Sequence, residues 1–299
     1  MQKMPERKRF EGAIVALVTP FADGQVDYGA LGKLIDFQID GGVQGLSPCG
    51  TTGESPTLTY EEHHKVIEFV VQRAAGRVPV IAGTGSNSTA EAIDLTRHAK
   101  DCGADGCLIV NPYYNKPTQQ GMFEHVARIA EIGLPIVLYN IPGRCGVALT
   151  AETVARMYEN IEMVVGVKES TGDLNLASQI AASCDITILS GDDSLTLPLC
   201  AVGGSGVISV VANILPAEIR TLCDHIANFD LADACTQHLR LFPLFRGLFV
   251  ETNPIPIKAA LAMAGMIREE LRLPLTPLSA SLRPELARLL KSFGVPLKA

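Results

Sequence analysis

The feature of this sequence that most restricts its fold is an eightfold alternation of short apolar segments with stretches of helical periodicity. Each apolar segment is rich in β-branched residues and carries Gly, Pro, Asn, Asp or Ser near its end, as buried parallel strands do. The eight segments are 12–21, 42–50, 78–85, 106–114, 135–142, 163–170, 186–193 and 206–213. Eight strand–helix repeats within about 250 residues predict a (β/α)8 TIM barrel of the α/β class.

The connecting segments carry helix signals of their own. In "DYGALGKLIDFQIDGG" the apolar residues Leu31, Leu34, Ile35 and Ile39 recur at helical spacing, and two glycines follow. "STAEAIDLTRHAKDCG" begins with Ser and Thr, which cap helices, and reaches a glycine at its end. "TAETVARMYEN" begins with Thr150 and has an acidic residue in its first turn. These segments therefore predict helices between the strands.

The alternation stops after the eighth apolar segment. Three further segments, "LADACTQHLRLFPLFRGLFV", "PIPIKAALAMAGM" and "LRPELARLLKSFG", are typical of helices, and no low-complexity linker precedes them. We therefore predict a barrel catalytic domain over residues 1–229 and a C-terminal helical domain over residues 230–299, packed on the barrel.

Composition limits the kinds of partner. Of 299 residues, 47% are hydrophobic and 19% are charged, which favours a compact globular protein. The net charge of −7 argues against nucleic acid, and no apolar run approaches the ~18 residues of a membrane span. The eight cysteines are scattered without a CxxC pair, and no HExxH motif occurs. We expect reduced thiols, no metal site and a cytoplasmic location.

A lysine at the end of one predicted strand points to chemistry. In "MVVGVKES" three valines and a glycine precede Lys168, and Gly166 is expected to leave room beside its stem. Burying an ammonium group is costly unless the group gains a partner or loses its proton. Active sites of (β/α)8 barrels lie at the carboxyl ends of the strands, which is where Lys168 falls.

A neutral lysine amine can attack a carbonyl carbon and form a Schiff base. The iminium then withdraws electrons, and the adjacent carbon loses a proton to become an enamine; this is aldolase chemistry without a metal or other cofactor. Tyr139 and Tyr114, with the hydroxyl of Thr51, could relay protons, and Arg144 could hold a carboxylate. Each feature alone also fits an ion-paired lysine, a packed tyrosine or an ordinary loop arginine. Only their joint placement at the strand ends of one barrel indicates a catalytic site.

Several motifs occur in order along nearly the whole chain, among them "GTTGES", "LYNIPGR", "GVKESTGDL" and "NPIPIKAAL". Together they resemble the dihydrodipicolinate synthase / N-acetylneuraminate lyase family of pyruvate-dependent class I aldolases. The resemblance implies a Schiff base between Lys168 and pyruvate, with Tyr139 as general acid and base. It further implies that Thr51 links Tyr139 to Tyr114, which would reach in from a neighbouring subunit.

The resemblance also implies a set of substrate-binding residues, namely Thr52, Arg144, Gly191 and Ile208. Thr52 and its backbone would hold the pyruvate carboxylate. Arg144, helped by the Gly191 backbone, would bind the carboxylate of the second substrate, L-aspartate 4-semialdehyde. The family's usual assembly is a homotetramer of paired dimers.

Arg144 favours the synthase branch of the family, whose members catalyse the first committed step of diaminopimelate and lysine biosynthesis. The sialate lyases usually have "GSTGE" where this chain has "GTTGE", and they lack this arginine. Two alternatives stay open: a sister aldolase that cleaves sialate or a 2-keto-3-deoxy sugar acid, and a catalytically silent barrel that binds a keto acid.

Cys49, where the family commonly has a small aliphatic residue, is expected close to the site as a thiol liability. Asn111 replaces a common threonine.

Many members of the family are inhibited by lysine at a site between subunits. The matching positions here are Ser55, His63, Asn87, Glu91 and Tyr113. Tyr60 stands where lysine-sensitive bacterial forms often have histidine, and Pro56 replaces a small residue. We therefore predict weak or altered feedback by lysine.

Overall fold

The computed structural model describes residues 7–298, and eight parallel strands form its central sheet. The strands are β1 (Gly12–Ala16), β2 (Gly45–Ser47), β3 (Ile81–Gly83), β4 (Gly106–Val110), β5 (Ile136–Asn140), β6 (Val164–Glu169), β7 (Thr187–Ser190) and β8 (Gly206–Ser209). Their order in the sheet is β2-β1-β8-β7-β6-β5-β4-β3, and a parallel bridge between Leu46 and Val80 joins the two ends. The predicted (β/α)8 barrel is confirmed.

Helices follow the strands on the outside of the barrel. They are α1 (Tyr28–Asp40), α2 (Tyr60–Ala74), α3 (Thr89–Asp101), α4 (Gln119–Ala130), α5 (Pro142–Cys145), α6 (Ala151–Asn160), α7 (Leu174–Ser183), α8 (Thr196–Cys200), α9 (Pro216–Ala227), α10 (Leu231–Gly247), α11 (Ile255–Met263) and α12 (Arg283–Ser292). The predicted caps are present, because the side chains of Ser88 and Thr150 accept hydrogen bonds from the first turns of α3 and α6.

The first apolar segment, predicted as a single strand, is interrupted in the structure. β1 ends at Ala16, and Phe21–Ala22 pairs instead with Gln25–Val26 in a small antiparallel hairpin. Asp23 and Gly24 form its turn at φ values of 54° and 79°, the left-handed region that Asp-Gly turns adopt. The Asp-Gly pair was therefore the available signal for this hairpin.

Two apolar layers hold the barrel together. The barrel interior is filled by Phe10, Ile14, Ala16, Ile81, Leu108, Val137, Tyr139, Val165, Leu189 and Ile208. Phe10 precedes β1 and closes the amino end of the barrel, where its ring packs against Gly106 so closely that a Cβ there would lie 2.7 Å from it. The second layer lies between the strands and the outer helices.

The C-terminal helices share that second layer. Leu241 and Leu244 of α10, Ile257 and Leu261 of α11, and Leu290 of α12 are fully buried in the same apolar cluster as the barrel helices. The three helices therefore pack on the barrel, and a division into domains at residues 229 and 230 stays a prediction.

Residues 7–298 also bear on the expectations about membranes, metals and thiols. No helix in that range has the length and apolar character needed to cross a bilayer. No three His, Cys, Asp or Glu side chains in it converge on a point where a metal ion could bind. All eight cysteines are free, and only Cys235 is exposed.

Candidate active site

The lysine singled out in the sequence lies inside the barrel at the end of β6. Lys168 is buried and pairs in register with Tyr139 of β5. Its Nζ atom lies 4.1 Å from the centroid of the Tyr139 ring. Among residues 7–298, Lys168 takes part in none of the ion pairs. An ion-paired structural lysine therefore does not explain its burial.

The neighbours of these two residues form a polar row on the outer face of the strands. The Asn140 side chain donates to the Glu169 carboxylate at 3.0 Å and accepts from Asn111 at 3.1 Å. Glu169 also accepts from the Thr171 N–H at 2.6 Å, and its burial raises the pKa of the carboxyl group. Asn111, a departure from the family pattern, thus joins three consecutive strand ends. This row fixes the backbone that carries Tyr139 and Lys168.

The glycine that makes room for the lysine stem is Gly191, not Gly166. A Cβ at Gly191 would lie 2.8 Å from Lys168 Cε, whereas a Cβ at Gly166 would meet Thr187 and Val137 first. The Gly191 N–H donates to the Glu169 carbonyl at 2.8 Å. The backbone group that Gly191 can still offer a substrate is therefore its carbonyl, which accepts hydrogen bonds.

Thr51 and Thr52 lie in a tight turn after β2. The Gly53 N–H donates to the Gly50 carbonyl and the Glu54 N–H to the Thr51 carbonyl, both at 3.1 Å. Thr52 is buried, and its hydroxyl accepts from the Asn253 side-chain amide at 2.9 Å. The turn thereby presents one threonine to the cavity and holds the other against the C-terminal segment.

Arg144 lies in the short helix α5 that follows β5, with its side chain at the mouth of the barrel. Its guanidinium donates to the Asn253 backbone carbonyl at 3.1 Å. Asn253 belongs to the motif "NPIPIKAAL", but no role for it was predicted. Its partners Thr52 and Arg144 are remote in sequence, so no local pattern reveals the contact.

A cavity of about 580 Å³ opens beside Tyr139 and Arg144. Thr51, Tyr139 and Arg144 line it together with residues of the expected effector set, namely Ser55, His63, Glu91 and Tyr113. Asn87 of that set lies beside the cavity, where its amide donates to the Tyr113 carbonyl at 3.1 Å. Thus three of the predicted active-site residues and four of the effector residues line one cavity in a single chain, whereas Lys168, Thr52 and Gly191 are not among its lining residues.

Tyr114, Ile208 and Cys49 lie in three environments that differ from one another. Tyr114 is 91% exposed at a φ of 71°, so its side chain is not part of the cavity formed by its own chain. Ile208 is buried in the barrel interior. Cys49 lines the cavity as expected, but its burial raises the pKa of the thiol, so the reactive thiolate is disfavoured and the expected liability is not supported.

The fold and site together define a class: a (β/α)8-barrel enzyme with a buried lysine at the end of its sixth strand, which has no ion-pair partner within residues 7–298, and a tyrosine beside it. A profile of the Dihydrodipicolinate synthetase family matches residues 9–293. The chain is 52% identical to 4-hydroxy-tetrahydrodipicolinate synthase of Pelobacter propionicus, over 96% of this chain and 99% of that protein.

Solved structures agree with this relationship. The crystal structure of dihydrodipicolinate synthase from Aquifex aeolicus superposes with a TM-score of 0.96 at 51% identity, covering 97% of this chain and all of that one. The pyruvate complex of the Acinetobacter baumannii dihydrodipicolinate synthase gives 0.94 at 44% identity, over 96% of this chain and all of that one. The chain belongs to the Dihydrodipicolinate synthetase family.

Proposed function

We propose that this protein condenses pyruvate with L-aspartate 4-semialdehyde to give 4-hydroxy-tetrahydrodipicolinate, in diaminopimelate and lysine biosynthesis. The observation that carries the proposal is Lys168, buried and without an ion pair, beside Tyr139 in a member of this family. The naming of its relatives as synthases favours this reaction over sialate or sugar-acid cleavage. Their naming as enzymes also argues against a silent binding barrel.

The reaction follows from the chemistry of an amine and a ketone. The Lys168 amine attacks pyruvate C2, water leaves, and an iminium forms. A proton then leaves C3, and the resulting enamine carbon attacks the aldehyde carbon of the second substrate, whose oxygen takes up a proton. The amino group of that substrate can next attack C2, which closes a ring and releases the lysine amine.

Tyr139 is proposed as the group that moves these protons, because its ring lies against Lys168 and faces the cavity. Thr51 lines the same cavity and would pass protons onward to Tyr114 of a neighbouring copy. Thr52 would bind the pyruvate carboxylate from its position in the turn after β2.

The second substrate would lie between Arg144 and Gly191. The Arg144 guanidinium keeps N–H groups for a carboxylate, in the paired geometry that arginine favours. The free Gly191 carbonyl suits the ammonium group of the semialdehyde rather than its carboxylate. Ile208 would form an apolar wall of the barrel mouth.

We propose a homotetramer of paired dimers, since Tyr114 is exposed in a strained conformation and can act only from a neighbouring copy. A complementation experiment tests the shared site on which this assembly rests. The Tyr114→Phe and Lys168→Ala variants, each impaired alone, should regain activity when they are unfolded and refolded together. A mixture no more active than its components would contradict a shared site.

Ser55, His63, Asn87, Glu91 and Tyr113 remain the proposed effector site for lysine. Tyr60 lines the cavity beside them with 55% of its surface exposed, and partial desolvation together with the neighbouring Glu91 raises the pKa of its phenol. A phenol in place of an imidazole removes a cationic donor for the effector carboxylate. Inhibition by micromolar lysine would contradict the predicted weak feedback, and a Tyr60→His variant should be the more sensitive form.

Borohydride reduction in the presence of pyruvate tests the proposed chemistry. It should fix a pyruvate-derived adduct on Lys168, located by peptide mass spectrometry. The Lys168→Ala variant should give no adduct, whereas Lys33→Ala, which removes an exposed lysine of α1, should behave as the unchanged protein. Absence of any adduct on the folded protein would contradict the proposal.

A further inference from the structure

A residue outside the eight strand–helix repeats joins both proposed carboxylate-binding groups. Asn253 lies between α10 and α11 and is buried. Its side-chain Nδ2 donates to Thr52 Oγ1 at 2.9 Å, and its backbone carbonyl accepts from the Arg144 guanidinium at 3.1 Å. One residue therefore holds the group proposed for pyruvate and the group proposed for the semialdehyde.

The hydrogen bond from Asn253 to Thr52 determines where the hydroxyl proton of Thr52 can point. A hydroxyl group has one proton to donate and two lone pairs that accept. Because the Asn253 amide donates to the Thr52 oxygen, the Thr52 proton is free to point at another acceptor. A carboxylate oxygen is the strongest such acceptor that the proposed reaction brings to this site.

The other half of the amide supports the same interpretation. Within the described part of the chain, Asn253 Oδ1 is buried and has no hydrogen-bond partner. A buried acceptor without a partner costs free energy, so the contact that holds this amide in place is the one that Nδ2 makes with Thr52.

The turn that carries Thr52 has separate anchors. Glu54 pairs with Lys258 of α11 and accepts from the Arg272 N–H at 3.0 Å, while the Thr19 hydroxyl donates to the Gly53 carbonyl at 2.7 Å. Removing the Asn253 side chain should therefore leave the turn in place and change mainly the orientation of the Thr52 hydroxyl.

We infer that Asn253 is a positioning residue that orients the Thr52 hydroxyl toward the pyruvate carboxylate and, through its carbonyl, sets the Arg144 guanidinium for the second substrate. This inference rests on the proposed function. Asn253 itself need not touch either substrate.

The test measures the pyruvate concentration that gives half-maximal borohydride trapping. Asn253→Ala should raise it about tenfold, as expected for the loss of a hydrogen bond to a charged group, whereas kcat at saturating pyruvate should change much less. Asn253→Asp, which keeps the size but accepts the Thr52 proton, should raise it at least as much. Asn228→Ala, which removes an exposed amide after α9, is the matched control and should leave it unchanged.

A double-variant cycle separates this role from a general structural one. In a Thr52→Val background, which has no hydroxyl to orient, Asn253→Ala should add little to the half-saturating concentration. Additive effects, or unchanged half-saturation in Asn253→Ala, would overturn the inference. Should the alanine variant fail to fold, the isosteric Asn253→Asp variant decides by the same measure. Failure of the unchanged protein to be trapped would instead overturn the proposed function.

Discussion

At the scale of single residues, the site depends on how closely the Lys168 stem is enclosed. The stem passes Gly191, and Tyr139 covers its end, so the amine has little freedom to move. Enclosure of this kind holds a nucleophile where its carbonyl partner will arrive, and small displacements are expected to cost much activity.

Gly191→Ala should therefore displace the amine without unfolding the protein. A Cβ there would lie 2.8 Å from Lys168 Cε and 1.8 Å from Ser170 Oγ, both on side chains that can move aside. We expect the rate of borohydride trapping to fall by about 10²-fold with little change in Tm. Gly32→Ala, in the interior of α1 with only ordinary contacts nearby, is the control. A fully active Gly191→Ala variant would show that the stem is not constrained.

Arg144 distinguishes the two aldolase reactions. Arg144→Ala should lower kcat/KM for L-aspartate 4-semialdehyde by roughly 10- to 100-fold, because a charge-assisted contact with the substrate carboxylate is lost. Trapping of pyruvate should be little affected. Arg288→Ala, at an exposed position of α12, serves as control. Unchanged turnover in the Arg144 variant would favour a sugar-acid lyase.

At the scale of elements, a buried ion pair connects helix α11 to the turn after β2. Lys258 and Glu54 are both fully buried, and Lys258 also donates to the Thr19 carbonyl at 2.9 Å. Burial lowers the pKa of Lys258, and the Glu54 carboxylate opposes that shift. The C-terminal segment is thus tied to the loop that carries Thr51 and Thr52.

Lys258→Met should destabilise the protein by about 3–5 kcal/mol, because the Glu54 carboxylate would remain buried without a partner. Urea unfolding followed by circular dichroism measures the change. The double variant Lys258→Met/Glu54→Gln should recover part of it, since no charge stays buried. Lys65→Met, which breaks the exposed pair with Glu61, should have little effect. Equal effects of the two single variants would contradict this account.

The elements were more predictable than the contacts between them. Strands and helix starts follow local signals, such as the valines before Lys168 and the caps Ser88 and Thr150. Gly191 and Asn253 show what was missed. The steric need for glycine beside the lysine, and the hydrogen bond from Asn253 to Thr52, arise between segments far apart in sequence, and no periodicity encodes them. Tyr114 could be assigned only through family resemblance, since its side chain is exposed and does not line the cavity of its own chain.

At the scale of the whole molecule, buried titratable groups set the pH dependence of stability. Burial lowers the pKa of His63 and of His125 to about 4, against about 6.5 for an exposed histidine. The unfolded chain therefore binds these protons first, and stability falls as pH falls from 6.5 toward 4. Burial raises the pKa of Asp193 to about 6, so the folded protein takes up this proton before the unfolded chain does. Protonation of Asp193 therefore increases stability as pH falls below about 6. Burial also lowers the pKa of His64 and His238 and raises that of Glu169, so four histidines against two carboxyl groups predict a net loss of stability.

The histidine contribution can be isolated with His125→Asn. This change keeps a polar partner for the Thr89 hydroxyl, which lies 2.9 Å from His125 Nδ1, and removes the titration. Between pH 7 and 4 the unfolding free energy should fall by about 3 kcal/mol less in the variant than in the unchanged protein. Parallel pH profiles for the two proteins would show that His125 is not responsible.

The most direct test of the central claim is pyruvate consumption with L-aspartate 4-semialdehyde as the only acceptor, compared with the Lys168→Ala variant. We expect consumption by the unchanged protein and none by the variant. No consumption by the folded, assembled protein, or equal consumption by the variant, would contradict a condensation that proceeds through Lys168.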